Sequence, residues 1–218
     1  GWDFSSRWLG ESNLLSSIQT TDIVPIDLNC LMYNLENQLS KFFQLLGNSE
    51  QAEHYQLLAS NRKALINAYL WNEPTGFFVD YNCRTTTQSP ILSAAATTAL
   101  FVNLASNEQA IKVATILANE FLKEGGIVTT ITQTPQQWDS PNGWAPLQWL
   151  AVKGLNNYGI TQLSTHIMQN WVNMVEQNFA VNKCLLEKYN VCTPAVLASG
   201  GEYQVQQGFG WTNGVTTL

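Results

Sequence analysis

The chain has 218 residues, 45% of them apolar and only 12% charged, with a formal net charge of -6. A soluble domain usually carries roughly 25% charged residues, so the surface is expected to be neutral and polar, built from Asn, Gln, Ser and Thr. No basic patch or Lys/Arg run occurs, which argues against nucleic acid or anionic lipid as the main partner. No stretch reaches the roughly eighteen apolar residues of a membrane span, and no linker-like shift in composition divides the chain.

The opening segment Gly1-Trp2-Asp3-Phe4-Ser5-Ser6-Arg7-Trp8 places a carboxylate between aromatics, with an arginine four positions on. Termini are usually polar and frayed, so Gly1 is expected to lie inside a longer protein. The basic-then-apolar order of a signal peptide is absent. After Asp22 to Asp27, the apolar positions Leu28, Leu31, Met32, Leu35, Leu39, Phe42, Phe43 and Leu46 recur at helical spacing until Gly47-Asn48. Asn48 or Ser49 caps a second helix, marked by Tyr55, Leu58, Ala59, Leu65, Ile66, Tyr69 and Leu70 and stopped by Pro74-Thr75-Gly76. Trp71 to Tyr81 then reads as a turn with a short strand or hairpin arm.

The segment Leu92 to Leu104, with Ala94, Ala95, Ala96 and Ala99, lacks a polar face and predicts a buried helix. Ser106-Asn107-Glu108-Gln109 is a capping box opening a helix that runs through Leu122 towards Gly125-Gly126. Trp144 to Asn157 predicts another helix ending near Gly159, and Ile160 to Phe179 a sixth. The last forty residues lose periodicity, and their glycines predict a mobile or closely apposed loop. No fixed repeat period appears. Six helices in three consecutive pairs therefore point to an all-α architecture of the α-toroid kind, with connecting loops gathered at one end around a concave site.

One connecting loop stands out. Gln137 to Trp149 holds three tryptophans, two prolines, one glycine and one carboxylate in thirteen residues. Its flat aromatic faces and fixed turns suit a sugar-shaped pocket, or equally a plug over the end of a helical core. Motifs for phosphate, dinucleotide, zinc-protease or serine-hydrolase chemistry are missing, and His54 and His166 sit inside predicted helices without a nearby cysteine or acidic motif. Cys30, Cys83, Cys184 and Cys192 suit neither a zinc site nor a disulfide framework, though a Cys184–Cys192 bridge stays open. No metal or cofactor is expected. What remains is a set of carboxylates in aromatic loops: Asp3, Asp80, Asp139, Glu187 and Glu202. Two such groups on opposite sides of a neutral sugar are what glycoside hydrolysis needs.

The segments Gly1 to Trp8, Gln137 to Pro146, Glu187-Lys188-Tyr189 and Gly200-Gly201-Glu202-Tyr203 through Gly214 together resemble the trehalases, the inverting glycoside hydrolase family 37, in that family's order across the whole chain. The resemblance implies an α/α toroid of the six-hairpin glycosidase type and hydrolysis of α,α-trehalose to two glucose molecules by an inverting acid/base mechanism. Asp3 matches the general acid and Glu187 the general base, with Glu202, on a lid, both a sugar-binding residue and the rival for the base. Gly1, Gln137 and Trp138 match substrate contacts. Asp139 is expected to organise its loop by bonding amides or a Trp indole, and Asp80 likewise to organise rather than catalyse.

The family's Pro-Gly-Gly-Arg signature has no counterpart here. Residues 1–218 are therefore expected to be the C-terminal portion of one catalytic domain, supplying about half of the toroid and folding with the missing N-terminal part. A non-catalytic sugar-binding or helical scaffold module is the alternative. The absence of any Asn-x-Ser/Thr acceptor speaks against a glycosylated secreted eukaryotic protein and, with the low charge, points to a bacterial, periplasmic one, so that a periplasmic or extracellular place is expected over a cytoplasmic one.

Overall fold

The computed structural model describes residues 2–10, 12, 14–198, 200–201 and 203–216. Its helices are α1 (Ile26–Leu45), α2 (Ser49–Tyr69), α3 (Thr97–Phe101), α4 (Asn107–Ile116), α5 (Ala145–Asn157), α6 (Thr161–Asn182) and α7 (Gly210–Thr216). Contacts run from α1 to α3, from α3 to α5 and from α5 to α7, which makes these four an inner row; α2 packs on α1 and α6 on α5 from outside. The arrangement is about half of an α/α toroid, as the helix pairing predicts. No helix among the described residues is long and apolar enough to cross a membrane.

Local chemistry explains most boundaries. Gly47 adopts φ 75° to turn the chain between α1 and α2, and the Asn48 side chain accepts from the Gln51 amide. Ser106 and Gln109 form the reciprocal capping box at the start of α4. The N–H of Ile26, at the start of α1, donates to Asp80 Oδ1 at 2.9 Å, which puts a carboxylate against the positive end of the helix. Gly154 lets α5 approach α3: a Cβ there would come within 2.9 Å of Leu100 Cβ and 3.0 Å of the Phe101 nitrogen.

Three expectations change. The Leu92 to Leu104 segment is not one helix, because Ser93 bridges to Thr130 and the Ala94 amide bonds the Thr129 carbonyl; only a 3-10 turn at Ala94–Ala96 and the short α3 follow. Its alanines are buried in the 3-10 turn and α3, behind an extended Leu92–Ser93. The helix begun by the capping box ends at Ile116, passes through a wide turn at Leu117–Phe121, and becomes a hairpin pairing Leu122–Lys123 with Gly126–Ile127. The glycine-rich tail contains α7, which the sequence did not predict: seven residues do not hold a helix alone, and burial of Thr212 and contact with α5 supply what propensity lacks.

The expected hairpin does form, with Trp71–Asn72 against Phe77–Phe78. Tyr81–Asn82 pairs on one side with Ile23–Val24 and on the other with Thr87–Gln88. A further pairing, Asn142–Gly143 with Tyr189–Asn190, ties the aromatic loop to the segment carrying Glu187. Cys184 and Cys192 are free thiols, so the bridge left open by their spacing does not form.

α1 leaves an apolar stripe uncovered. Leu28, Leu31, Leu35, Phe42 and Leu45 follow one helical face, with Phe42 57% and Leu45 84% exposed.

Candidate active site

The first turns of the four inner helices open on a single cleft of about 480 Å³. Asp27 reaches it from α1, Thr98 from α3, Pro146 from α5 and Trp211 from α7, and Trp2 and Trp138 lie among them. Helix pairing alone brings these loops together, because inner helices run with their N-terminal ends towards the same side.

The opening loop is held by Arg7, whose guanidinium is fully buried. It lies 4.1 Å from the Trp2 ring centre and 4.5 Å from that of Trp8. Nε and Nη2 each donate to Asp80 at 2.8 Å, and Nη1 and Nη2 to Asp27 at 3.1 Å. Burial alone would lower the pKa of this group, but the Asp80 and Asp27 carboxylates outweigh that and hold it above its ordinary value. Arg7 is therefore committed to Asp80 and Asp27. Asp80 is the loop organiser expected of it.

Asp139 is also an organiser. Its fully buried carboxylate accepts from the Ser5, Ser6 and Thr130 hydroxyls on Oδ1, and from the Ser6 amide and Thr134 hydroxyl on Oδ2, at 2.5–2.9 Å. The partners are one amide and four hydroxyls; the indole bond considered for it does not form. The Trp144 indole instead donates to the Gln137 carbonyl at 3.1 Å, and the buried Trp138 indole nitrogen has no partner among the described residues.

Trp138 stands in an aromatic wall. It stacks on Trp144 with centroids 3.9 Å apart and planes 7° apart, on Trp2 at 5.3 Å, and meets Trp211 edge-on at 6.1 Å. Such pairs add about 0.5–1.5 kcal/mol each beyond their buried area, so the wall is a rigid surface. Its backbone is fixed too, because the Trp138 N–H donates to the Phe4 carbonyl at 3.0 Å.

Asp3 is exposed and Glu187 only 2% exposed, and neither lines the cleft between the inner helices. Two side chains from other segments join their surroundings. Gln137 Nε2 donates to the Asp3 carbonyl oxygen and, at 3.3 Å, to the Tyr203 hydroxyl; Gln137 Oε1 accepts from Lys188 Nζ at 2.6 Å. Lys188 Nζ is also 3.4 Å from Glu187 Oε2, and Tyr203 donates to Glu187 Oε1 at 2.8 Å. The Glu187 backbone is paired with Gln206, and its carbonyl accepts from the Trp211 indole. Burial pushes the Lys188 ammonium below its ordinary pKa against the upward pull of Glu187 and Asp3.

The glycine segment lies directly on this network. Gly200 and Gly201 have φ of 88° and 87°, and a Cβ on Gly201 would fall 2.9 Å from the Gln137 side-chain amide. Gly1 and Glu202, expected as substrate contacts, lie outside the described residues.

Sequence reading missed the parts played by Lys188, Tyr203 and Asp27. Lys188 and Tyr203 stand beside Glu187 and within the glycine motif, so their position in those motifs was the available signal. Asp27 had none, because its partner is 20 residues away. Among the described residues no cluster of His, Cys, Asp and Glu is arranged to hold a metal ion.

The trehalase family model matches residues 1–218. The chain is 44% identical over 216 residues to periplasmic trehalases of Escherichia coli O1:K1 and Salmonella paratyphi B, matches that cover 99% of this chain and 38% of each relative. The chain thus spans about two-fifths of the length of the curated relatives it matches. Among solved structures it superposes on the neutral trehalase of Saccharomyces cerevisiae with a TM-score of 0.81 at 25% identity, covering 99% of this chain and 39% of that one. A glycoside hydrolase family 63 mannosylglycerate hydrolase from Thermus thermophilus gives a TM-score of 0.70 at 18% identity, with 89% and 45% covered, a likeness of fold alone.

Proposed function

The chain belongs to the trehalase family, and from that premise we propose that it forms part of an enzyme hydrolysing α,α-trehalose to two glucose molecules by single displacement with inversion. Asp3 is the general acid that protonates the glycosidic oxygen. Glu187 is the general base that draws a proton from water attacking the opposite face of the sugar. Trp138 offers an apolar wall to a sugar face, and Gln137 shapes the pocket between acid and base. Gly1 and Glu202 are assigned to substrate by their place in the family's motifs.

The observation that carries this reading is the link through Gln137 and Lys188, which draws the Asp3 loop and Glu187 into one hydrogen-bonded frame beside the tryptophan wall. The frame takes the Asp3 segment by its backbone carbonyl and Glu187 by its carboxylate. Acid/base chemistry across a sugar needs two carboxyl groups held apart rather than sharing one partner.

Residues 1–218 act, in this reading, as one portion of a single catalytic domain, with the rest of that domain as partner. The uncovered Leu35, Phe42 and Leu45 of α1, which lie outside the cleft, support this, because a monomer rarely leaves several large apolar side chains on one helix face in water. The periplasmic names of the relatives support a periplasmic place.

The test uses the intact protein. Asp3→Asn and Glu187→Gln are each expected to lower kcat on trehalose by about a thousandfold or more, with the fold unchanged by circular dichroism. NMR of fresh product from the native enzyme is expected to show one β- and one α-glucose per turnover. Two α products would reject inversion, and full activity in either variant would reject that residue's role.

A further inference from the structure

Lys188 is fully buried beside the candidate base and has so far been given no chemical role. A buried ammonium is costly unless paired and hydrogen-bonded, so its surroundings show what it is there to hold. Nζ makes its shortest bond, 2.6 Å, to Gln137 Oε1, and lies 3.4 Å from Glu187 Oε2. The rings of Trp144 and Tyr203 close round it, with centroids at 5.4 and 5.0 Å. Lys188 is thus enclosed by protein, with no exposed side-chain surface.

The Glu187 carboxylate is gripped at both oxygens. Oε1 accepts from the Tyr203 hydroxyl at 2.8 Å, and Oε2 faces the Lys188 ammonium and the Gln206 N–H, each at 3.4 Å. Tyr203 comes from the glycine segment and Lys188 from the base's own segment, so one grip can be released while the other stays. A carboxylate that activates water has to present one oxygen in a fixed direction. The ammonium supplies that direction only because Gln137 anchors it from behind.

We propose that Lys188 is the positioning residue of the base: held by Gln137, it fixes the orientation of the Glu187 carboxylate and touches no substrate. The proposal rests on the reading of Glu187 as the base.

Two substrates separate its possible effects. Trehalose needs both acid and base, whereas α-glucosyl fluoride releases fluoride without a proton donor and needs only the base. In the intact protein, Lys188→Met is expected to lower kcat about 100-fold on both substrates, the order of loss seen when a reacting group is misplaced by about 1 Å. Trehalose affinity, measured by calorimetry in an Asp3→Asn background with and without Lys188→Met, is expected to change less than about threefold, because only a substrate contact would move it. Lys188→Gln, which can still bond Gln137, serves as the second variant.

A loss on trehalose alone would assign Lys188 to the acid and overturn the proposal. So would a loss confined to affinity, a kcat kept within threefold of native in both variants, or a failure of both variants to fold. Glu187→Gln is measured alongside: if it keeps hydrolysing both substrates, the assignment of the base has failed, whatever the lysine variants do.

Discussion

Asp139→Asn distinguishes an organising carboxylate from a reacting one. An asparagine keeps one accepting oxygen, which can retain the Ser5, Ser6 and Thr130 hydroxyls now on Oδ1. Its NH2 must then take the place of Oδ2, where the Ser6 N–H at 2.8 Å and the Thr134 hydroxyl at 2.5 Å now donate. The hydroxyl can rotate and accept. The Ser6 N–H is fixed by the backbone and is left facing another donor. Losing a charge-assisted bond costs about 1.5–3 kcal/mol, and an orphaned buried donor about 1–3 kcal/mol. The sum is about 2.5–6 kcal/mol, and spread over the larger intact domain it is expected to lower Tm by roughly 3–8 °C. Thermal unfolding followed by tryptophan fluorescence measures it in the intact protein. Activity well below the new Tm is expected to stay within about tenfold of native, since no reacting group has been touched. A variant with native Tm and activity lowered a thousandfold would refute this reasoning and move Asp139 into the chemistry.

Two further outcomes follow from other contacts. Burial works to raise the Asp27 carboxyl, but the Arg7 guanidinium and its hydrogen bonds outweigh this and hold it below its ordinary 3.8. The ion pair therefore contributes stability that is present above that unfolded value and is lost as pH falls through the lower folded one. Asp27→Asn is expected to lower stability at neutral pH by about 1–3 kcal/mol and to flatten the acid limb of the urea midpoint plotted against pH; an unchanged acid limb would count against the pair. Gly201→Ala forces a side chain onto a positive φ and against Gln137, a strain of about 1–3 kcal/mol. Because the strain falls on the glycine segment, kcat/KM is expected to drop at least tenfold with little change in the global unfolding midpoint, and a large fall in Tm with full activity would contradict the placement.

The elements read correctly from sequence are those whose cause is local. The Ser106–Gln109 capping box, the Gly47 turn and the long apolar periodicities of α1, α2 and α6 depend on neighbours a few positions away. The Leu92 to Leu104 segment was read too long because the partner that holds its start out of helix, Thr129–Thr130 bonding Ser93 and the Ala94 amide, is more than thirty positions on. α7 failed for the same reason, its stability coming from α5. At the site, the roles proposed for Asp3 and Glu187 and the organising role of Asp139 come from motif resemblance, while that of Asp80 followed from its loop. Lys188 is adjacent to Glu187 in sequence, yet nothing local says that its ammonium turns inward to Gln137.

Gln137 uses both ends of its amide, one on the Asp3 backbone and the other on Lys188. The consequence is for recombination between relatives. Three segments far apart in the chain, around residues 3, 137 and 187, share one side chain as their common splint. Exchanging any one of them alone transplants a joint without its socket, so chimaeras of trehalases should carry all three as a single inherited block.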